Sequence, residues 1–389
     1  LISRKKTSKK EDKNKLNFIE DIMLELIEPT QDHLPPIKEE DLSDEQVLEE
    51  IKSLKKELAN EVIVLGHHYQ QDDVIQFADH KGDSLALAKI AAKVEAPFII
   101  FCGVHFMAET ADMLTKPTQK VILPDLNAGC SMADMANTTQ IEKAWEYLTQ
   151  TTHDKIVPVT YINCSADLKA FVGRKGGSIC TSSNAKKIIE WALEKGNKLL
   201  FFPDQHLGRN TCFEMGIPLK KMITYDPHRP KGGLRDEDVR ESKVILWHGF
   251  CSVHQGFTTS QIKNVKKESP ETTVIVHPEC PFDVVQESDL NGSTSYIIEE
   301  IKKAPEGSQF AVGTEINLVN RLASQYTNKK IFSLSPYQCL CTTMYRVRPR
   351  WLLASLRAIK NGKPINVIQV PETIKNDALI ALDLMIDIS

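Results

Sequence analysis

The sequence predicts an α/β protein of three pseudo-threefold-related domains, each a three-layer α/β/α sandwich with a parallel sheet, packed around a central cavity. Three observations lead there. Short β-branched and aromatic runs alternate with helical stretches, the alternation falls into three copies of one pattern, and each copy closes on a cysteine. Alternation of this kind marks parallel sheets flanked by helices. Self-similarity at a long period marks repeated units with internal pseudo-symmetry.

The elements follow in order. After Ser43, a residue suited to capping, Val47, Ile51, Leu54 and Leu58 recur at helical spacing and lead into the first strand. The first copy then has an apolar strand at 62–65, His67 at its end, Gly82-Asp83-Ser84 opening a helix, strands at 98–101 and 121–123, and Cys130. The second begins at Val157, passes Tyr161 and Asn163, reaches Thr181-Ser182-Ser183 before a helix, continues through a strand at 199–202 and closes at Cys251. The third begins at Val274, carries His277 and Glu279, reaches Gly292-Ser293-Thr294, continues through a strand at 310–312 and closes near Cys341. The interval from His67 to Ser84 equals that from His277 to Thr294, and that from Asn163 to Ser182 is nearly the same. The middle copy is longer, and its excess falls in a Pro-, Gly- and charge-rich stretch at 215–242 that is expected on the surface. At the C-terminal end, 351–359 reads as a helix, 365–370 as a strand and 378–385 as a final helix, all expected to return to the first domain. The expected organisation is a flexible extension at 1–42, a first domain at 43–135 completed by 342–389, a second at 136–252 and a third at 253–341.

Composition narrows the function classes. A chain of 389 residues is long enough for two or three cores, and 41% hydrophobic with 26% charged residues is ordinary for a globular protein. A net charge of −4 argues against nucleic acid or an anionic membrane as principal partner. No apolar run approaches the roughly 20 residues of a membrane span. Residues 1–20 are Lys-rich but contain Glu11 and Asp12 and no apolar centre, so neither a secretory signal nor a transit peptide is expected, and the expected location is the cytoplasm. Nine cysteines without such a signal do not suggest a disulfide framework, and without paired C-x-x-C motifs a zinc ribbon is not expected. Buried thiols, a catalytic nucleophile or a metal site assembled from distant segments remain.

In open α/β sheets ligands sit beyond the carboxyl ends of the strands. His67, Asn163 and His277 fall there, and helix starts at Ser84, Ser182 and Ser293-Thr294 would aim N–H groups and positive dipole ends into a shared cavity that favours anions. Singly, each hydroxyl is an ordinary helix cap. Three thiolates on one open face match an iron–sulfur cluster with an unligated fourth iron better than zinc, and such an iron acts as a Lewis acid. A cysteine is commonly a small buried hydrophobe, and Cys102, Cys164, Cys180, Cys212 and Cys280 are read that way. Cys130, Cys251 and one of Cys339 or Cys341 stand at equivalent places in the three copies. Cys341-Thr342 matches Cys130-Ser131 and Cys251-Ser252 in the hydroxyl that follows, which favours Cys341. His67, His254 and His277 are candidates to bind carboxylates or move protons. Glu279 is expected to have a raised pKa from partial burial and to shuttle protons.

Eight ordered motifs, taken together, resemble those of the quinolinate synthases. They are His67-His68-Tyr69-Gln70, Gly82-Asp83-Ser84-Leu85, Cys130-Ser131-Met132-Ala133, Tyr161-Ile162-Asn163, Cys180-Thr181-Ser182-Ser183-Asn184-Ala185, Cys251-Ser252-Val253-His254, His277-Pro278-Glu279-Cys280-Pro281 and Gly292-Ser293-Thr294. The resemblance implies a transferase of NAD biosynthesis that condenses iminoaspartate with dihydroxyacetone phosphate to quinolinate, releasing phosphate and water. It implies one [4Fe–4S] cluster per chain, held by Cys130, Cys251 and Cys341, with its open iron as Lewis acid. It implies a cavity lined by His67, Tyr69, Ser84, Tyr161, Asn163, Ser182, His254, His277, Glu279, Ser293 and Thr294, with Glu279, Tyr69 and His254 as catalytic residues. Small-molecule substrates, an L-aspartate oxidase that hands over the imine, and a monomer or homodimer complete the expectation. Two rivals keep the cluster: the diphthamide-forming radical enzymes and hydroxymethylbutenyl diphosphate reductase. The strand-end motifs around His67, Tyr161-Asn163 and His277-Glu279 argue against both. A third rival, a non-catalytic iron–sulfur or oxygen-sensing scaffold, predicts no spectral response of the cluster to substrate.

Overall fold

Continuous apolar runs, rather than alternating ones, build strands covered on both faces, as parallel sheets require. The computed structural model describes residues 41–389 apart from residue 338, so the extension expected at 1–42 lies, up to residue 40, outside the described residues. In the first sheet β1 (Val62–His67), β2 (His80–Gly82), β3 (Phe98–Cys102) and β4 (Lys120–Ile122) pair in parallel in the order β4-β3-β1-β2. The second holds β5 (Ile156–Tyr161), β6 (Ser178–Cys180), β7 (Lys198–Phe202), β8 (Met222–Tyr225) and β9 (Val244–Trp247) in the order β6-β5-β7-β9-β8. The third holds β10 (Thr273–Val276), β11 (Leu290–Asn291), β12 (Gln309–Gly313) and β13 (Lys330–Ser333) in the order β11-β10-β12-β13. A last strand, β14 (Val367–Ile368), adds to β4 antiparallel. In every sheet the unit's first strand lies between its second and third. The strand order therefore reverses beside β1, β5 and β10, the place where such sheets open a crevice at their carboxyl ends.

Two expectations change. The stretch 215–242 is not only surface: Met222-Ile223-Thr224-Tyr225 forms β8 and pairs with β9, and Asp236–Glu241 is a short helix. Its β-branched and aromatic core is short and hidden among Pro, Gly and charged neighbours. The last helix, Glu372–Ile388, packs chiefly against helix Ala166–Arg174 and β6 of the second unit and only marginally against helix His105–Leu114 of the first, where Lys375 Nζ donates to the Asp112 carbonyl at 2.9 Å. Gly173 permits this approach, since a Cβ there would stand 1.9 Å from the Asp377 carbonyl oxygen. Helix Pro349–Lys360, by contrast, lies against helix Asp44–Glu57, which opens on a capping box of Ser43 and Gln46 and buries Val47, Ile51 and Leu54.

One face of the first sheet shares a continuous apolar core with the second sheet and the last helix, the first sheet's other face has its own cluster with helices Asp44–Glu57 and Pro349–Lys360, and the third sheet has a separate cluster on each face. No described helix is long and apolar enough to cross a membrane.

Candidate active site

Each of the three closing cysteines is followed by a single 3₁₀ turn, at Ala133–Met135, His254–Gly256 and Met344–Arg346. The turns repeat one bonding pattern: Asp134 N–H donates to the Cys130 carbonyl (3.1 Å), Gln255 N–H to that of Cys251 (2.9 Å) and Tyr345 N–H to that of Cys341 (3.0 Å). Backbone N–H groups at these turns favour the thiolate forms and oppose the effect of burial: those of Ala133 and Met132 for Cys130, His254 for Cys251, and Met344 and Thr343 for Cys341. Burial pushes the Cys130 thiol up to about 12 and also raises Cys251 and Cys341, and the sulfurs are close enough to reinforce it, Cys341 acting on Cys130 and both on Cys251. All three line one pocket with about 620 Å³ of empty space. Cys339 lies elsewhere, against the third unit's core and a separate surface pocket.

The rest of the pocket comes from the strand ends and the turns before the following helices. His67 ends β1 with Tyr69 just beyond, Tyr161 ends β5 with Asn163 just beyond, and His277 and Glu279 follow β10. Ser84 is the first residue of helix Ser84–Ala91, Ser182 lies in the turn before helix Ala185–Lys195, and Thr294 opens helix Thr294–Lys303. His254 completes the set of expected residues that line the pocket. Ser293 does not line it; its hydroxyl caps the helix it precedes, accepting from the Tyr296 N–H at 3.3 Å.

A chain of hydrogen bonds crosses the pocket floor. Tyr161 Oη donates to Glu279 Oε1 (2.6 Å), and His254 Nδ1 stands 3.1 Å from Glu279 Oε2. His254 Nε2 meets Thr314 Oγ1 (3.2 Å), which meets Tyr69 Oη (2.8 Å), which in turn meets Thr294 Oγ1 (3.2 Å). The His254 and His277 rings stack at 4.5 Å. Burial alone would raise the Glu279 pKa, but the neighbouring His254 and His277 and the hydrogen bonds from His254 and Tyr161 win and hold it at about 2. This corrects the raised value expected from burial. Burial drives His67 and His277 down to about 3, and burial together with Glu279 raises the Tyr69 and Tyr161 phenols well above their ordinary range.

Asp83, Thr181, Thr314 and Thr343 were not singled out in the sequence, nor was the apolar wall of Val104, Phe106, Met107, Met132 and Met344. Asp83, Thr181 and Met132 stood inside recognised motifs without being marked themselves. Thr314 had only its place at the end of β12 to mark it. Asn163 Oδ1 is buried with no hydrogen-bond partner among the described residues, which leaves an acceptor for a ligand to satisfy. Cys251 Sγ, a His254 ring nitrogen and a Glu279 oxygen lie within 4.8 Å of one another, a donor set able to hold a metal ion.

Fold and site thus define a parallel α/β protein with a metal-competent, carboxylate- and thiol-lined pocket at its strand ends. The family model described as "Quinolinate synthetase A protein" matches residues 49–387, and the chain belongs to that family. Proteins named quinolinate synthase from Bacillus anthracis, Bacillus cereus and Bacillus thuringiensis are each 50% identical to it over 366 residues, covering 94% of this chain and 99% of theirs.

Proposed function

We propose that the protein is a quinolinate synthase, condensing iminoaspartate with dihydroxyacetone phosphate to quinolinate with release of phosphate and water, in the pathway to NAD. Family membership and half-identity along nearly the whole chain support the activity. The observation that carries the reading is the convergence of three like cysteine turns and the Glu279 network on one pocket. We read the three units as domains at 43–135, 136–252 and 253–341 about an approximate threefold axis, with the pocket as their central cavity. The protein works in the cytoplasm as a monomer or homodimer, and an L-aspartate oxidase supplies its unstable imine.

The donor set fits one [4Fe–4S] cluster per chain on Cys130, Cys251 and Cys341. Three sulfurs, each backed by N–H groups of its own turn, suit thiolate ligation, while the His254 and Glu279 atoms of the mixed donor set already bond to each other. When bound, the cluster supplies an open iron that polarises substrate oxygen or nitrogen as a Lewis acid.

The substrates bring carboxylates and a phosphate. Ser84, Ser182 and Thr294 offer hydroxyls at helix starts, Ser293 keeps the third start capped, and His67, His277, Tyr161 and Asn163 add polar contacts. Ionised Glu279 is placed to accept a proton, and the protonated phenol of Tyr69 to give one, with His254 and Thr314 joining them. The apolar wall limits water around the reacting atoms.

Anaerobically reconstituted protein should form quinolinate from the two substrates. Glu279→Gln should retain iron and lose roughly 10²- to 10⁴-fold in kcat. Absence of quinolinate from iron-loaded protein, with turnover on a rival's substrate instead, would reject the proposal; full activity in the variant would remove Glu279 from the mechanism.

A further inference from the structure

Asp83 is a pocket carboxylate bonded to all three units. It precedes helix Ser84–Ala91 and is 8% exposed. Its Oδ1 accepts the Ala86 N–H at 2.9 Å, capping its own helix. Its Oδ2 accepts the Ser183 hydroxyl at 3.0 Å and the Ser295 hydroxyl at 2.6 Å. Ser183 stands in the turn before helix Ala185–Lys195 of the second unit, and Ser295 in the first turn of helix Thr294–Lys303 of the third. The chain neighbours of these three anchors are Ser84, Ser182 and Thr294, all of which line the pocket.

We infer that Asp83 is the positioning residue that gathers three helix starts into one anion-binding corner, so that Ser84, Ser182 and Thr294 present their hydroxyls to the same substrate group. This rests on the proposed reading of those three as substrate contacts. The physics has two parts. Helix starts carry partial positive charge, so three converging ones repel each other, and one carboxylate among them offsets that repulsion. A carboxylate only accepts, so it takes donors from three segments at once, and its bonds to hydroxyls are charge-assisted. With both oxygens engaged by protein donors, Asp83 leaves the corner's own hydroxyls to the ligand. The second and third copies have Thr181 and Ser293 where the first has Asp83, so a single acid serves all three starts.

The test pairs Asp83→Ala with a Ser183→Ala/Ser295→Ala double variant, which removes the two cross-unit bonds but keeps the cap. With iron content unchanged, KM for dihydroxyacetone phosphate or iminoaspartate should rise roughly tenfold for each bond lost, with kcat little changed. In substrate-free protein the amides at 182–186 and 294–298 should exchange roughly tenfold faster. If Asp83→Ala does not fold, the double variant decides alone. Unchanged KM or unchanged exchange in the double variant overturns the inference. Wild-type protein that makes no quinolinate would sink the proposed activity, yet the exchange measurement needs no substrate and would still judge the clasp.

Discussion

Cys339 and Cys341 are near neighbours of identical chemistry, and only Cys341 faces the pocket. Cys341→Ala should therefore abolish iron binding while Cys339→Ala retains it, as read by iron and sulfide analysis after anaerobic purification; the reverse pattern would reassign the third ligand. The sequence favoured Cys341 because Thr342 follows it, but the hydroxyl that meets its sulfur is that of Thr343, at 3.4 Å. A repeat position can thus point to a residue for a reason that geometry replaces. Glu279 illustrates the limit from the other side. Its burial was legible in the apolar strand before it, whereas its ionisation depends on the sequence neighbour His277 together with His254 and Tyr161, and these last two join it only through tertiary contacts. Ser293, singled out for its hydroxyl, shows that a helix cap and a ligand contact look alike in sequence.

At the scale of elements, the strands were legible because parallel sheets leave continuous apolar runs, and the cysteine turns because they recur. What an amphipathic helix packs against is not written in its own pattern. Helix Glu372–Ile388 has an apolar face, but its choice of helix Ala166–Arg174 depends on the close approach at Gly173. A Cβ at Gly173 meets backbone, which cannot rotate aside, so Gly173→Ala should cost about 1–3 kcal/mol of stability. Gly256, with nothing within 4 Å of its would-be Cβ, serves as the control. Equal urea midpoints for Gly173→Ala and wild type would show that the two helices separate freely.

For the whole molecule, acid stability follows from the buried imidazoles. His67 and His277 titrate near 3 when folded against an ordinary 6.5 unfolded, so below pH 6.5 the unfolded chain takes up protons that the folded one refuses. The contribution of these two imidazoles should fall as the pH drops from 6.5 toward 3 and level off below, where protonation of Glu279, held at about 2, takes over the loss. By pH 5 each imidazole accounts for a loss of roughly 2 kcal/mol relative to pH 7. His67→Gln should flatten that slope, and urea midpoints at pH 5, 6 and 7 that run parallel in variant and wild type would contradict this origin. The pocket's walls run from His67 to Met344 along the chain, and the third sheet keeps its own clusters while one face of the first sheet shares a core with the second. A nascent polypeptide leaving the ribosome amino end first consolidates its early parts before its late ones. Cys341 is among the last wall residues to emerge, so under the proposed ligation a group held by all three sulfurs could be loaded only after nearly the whole pocket wall has been synthesised.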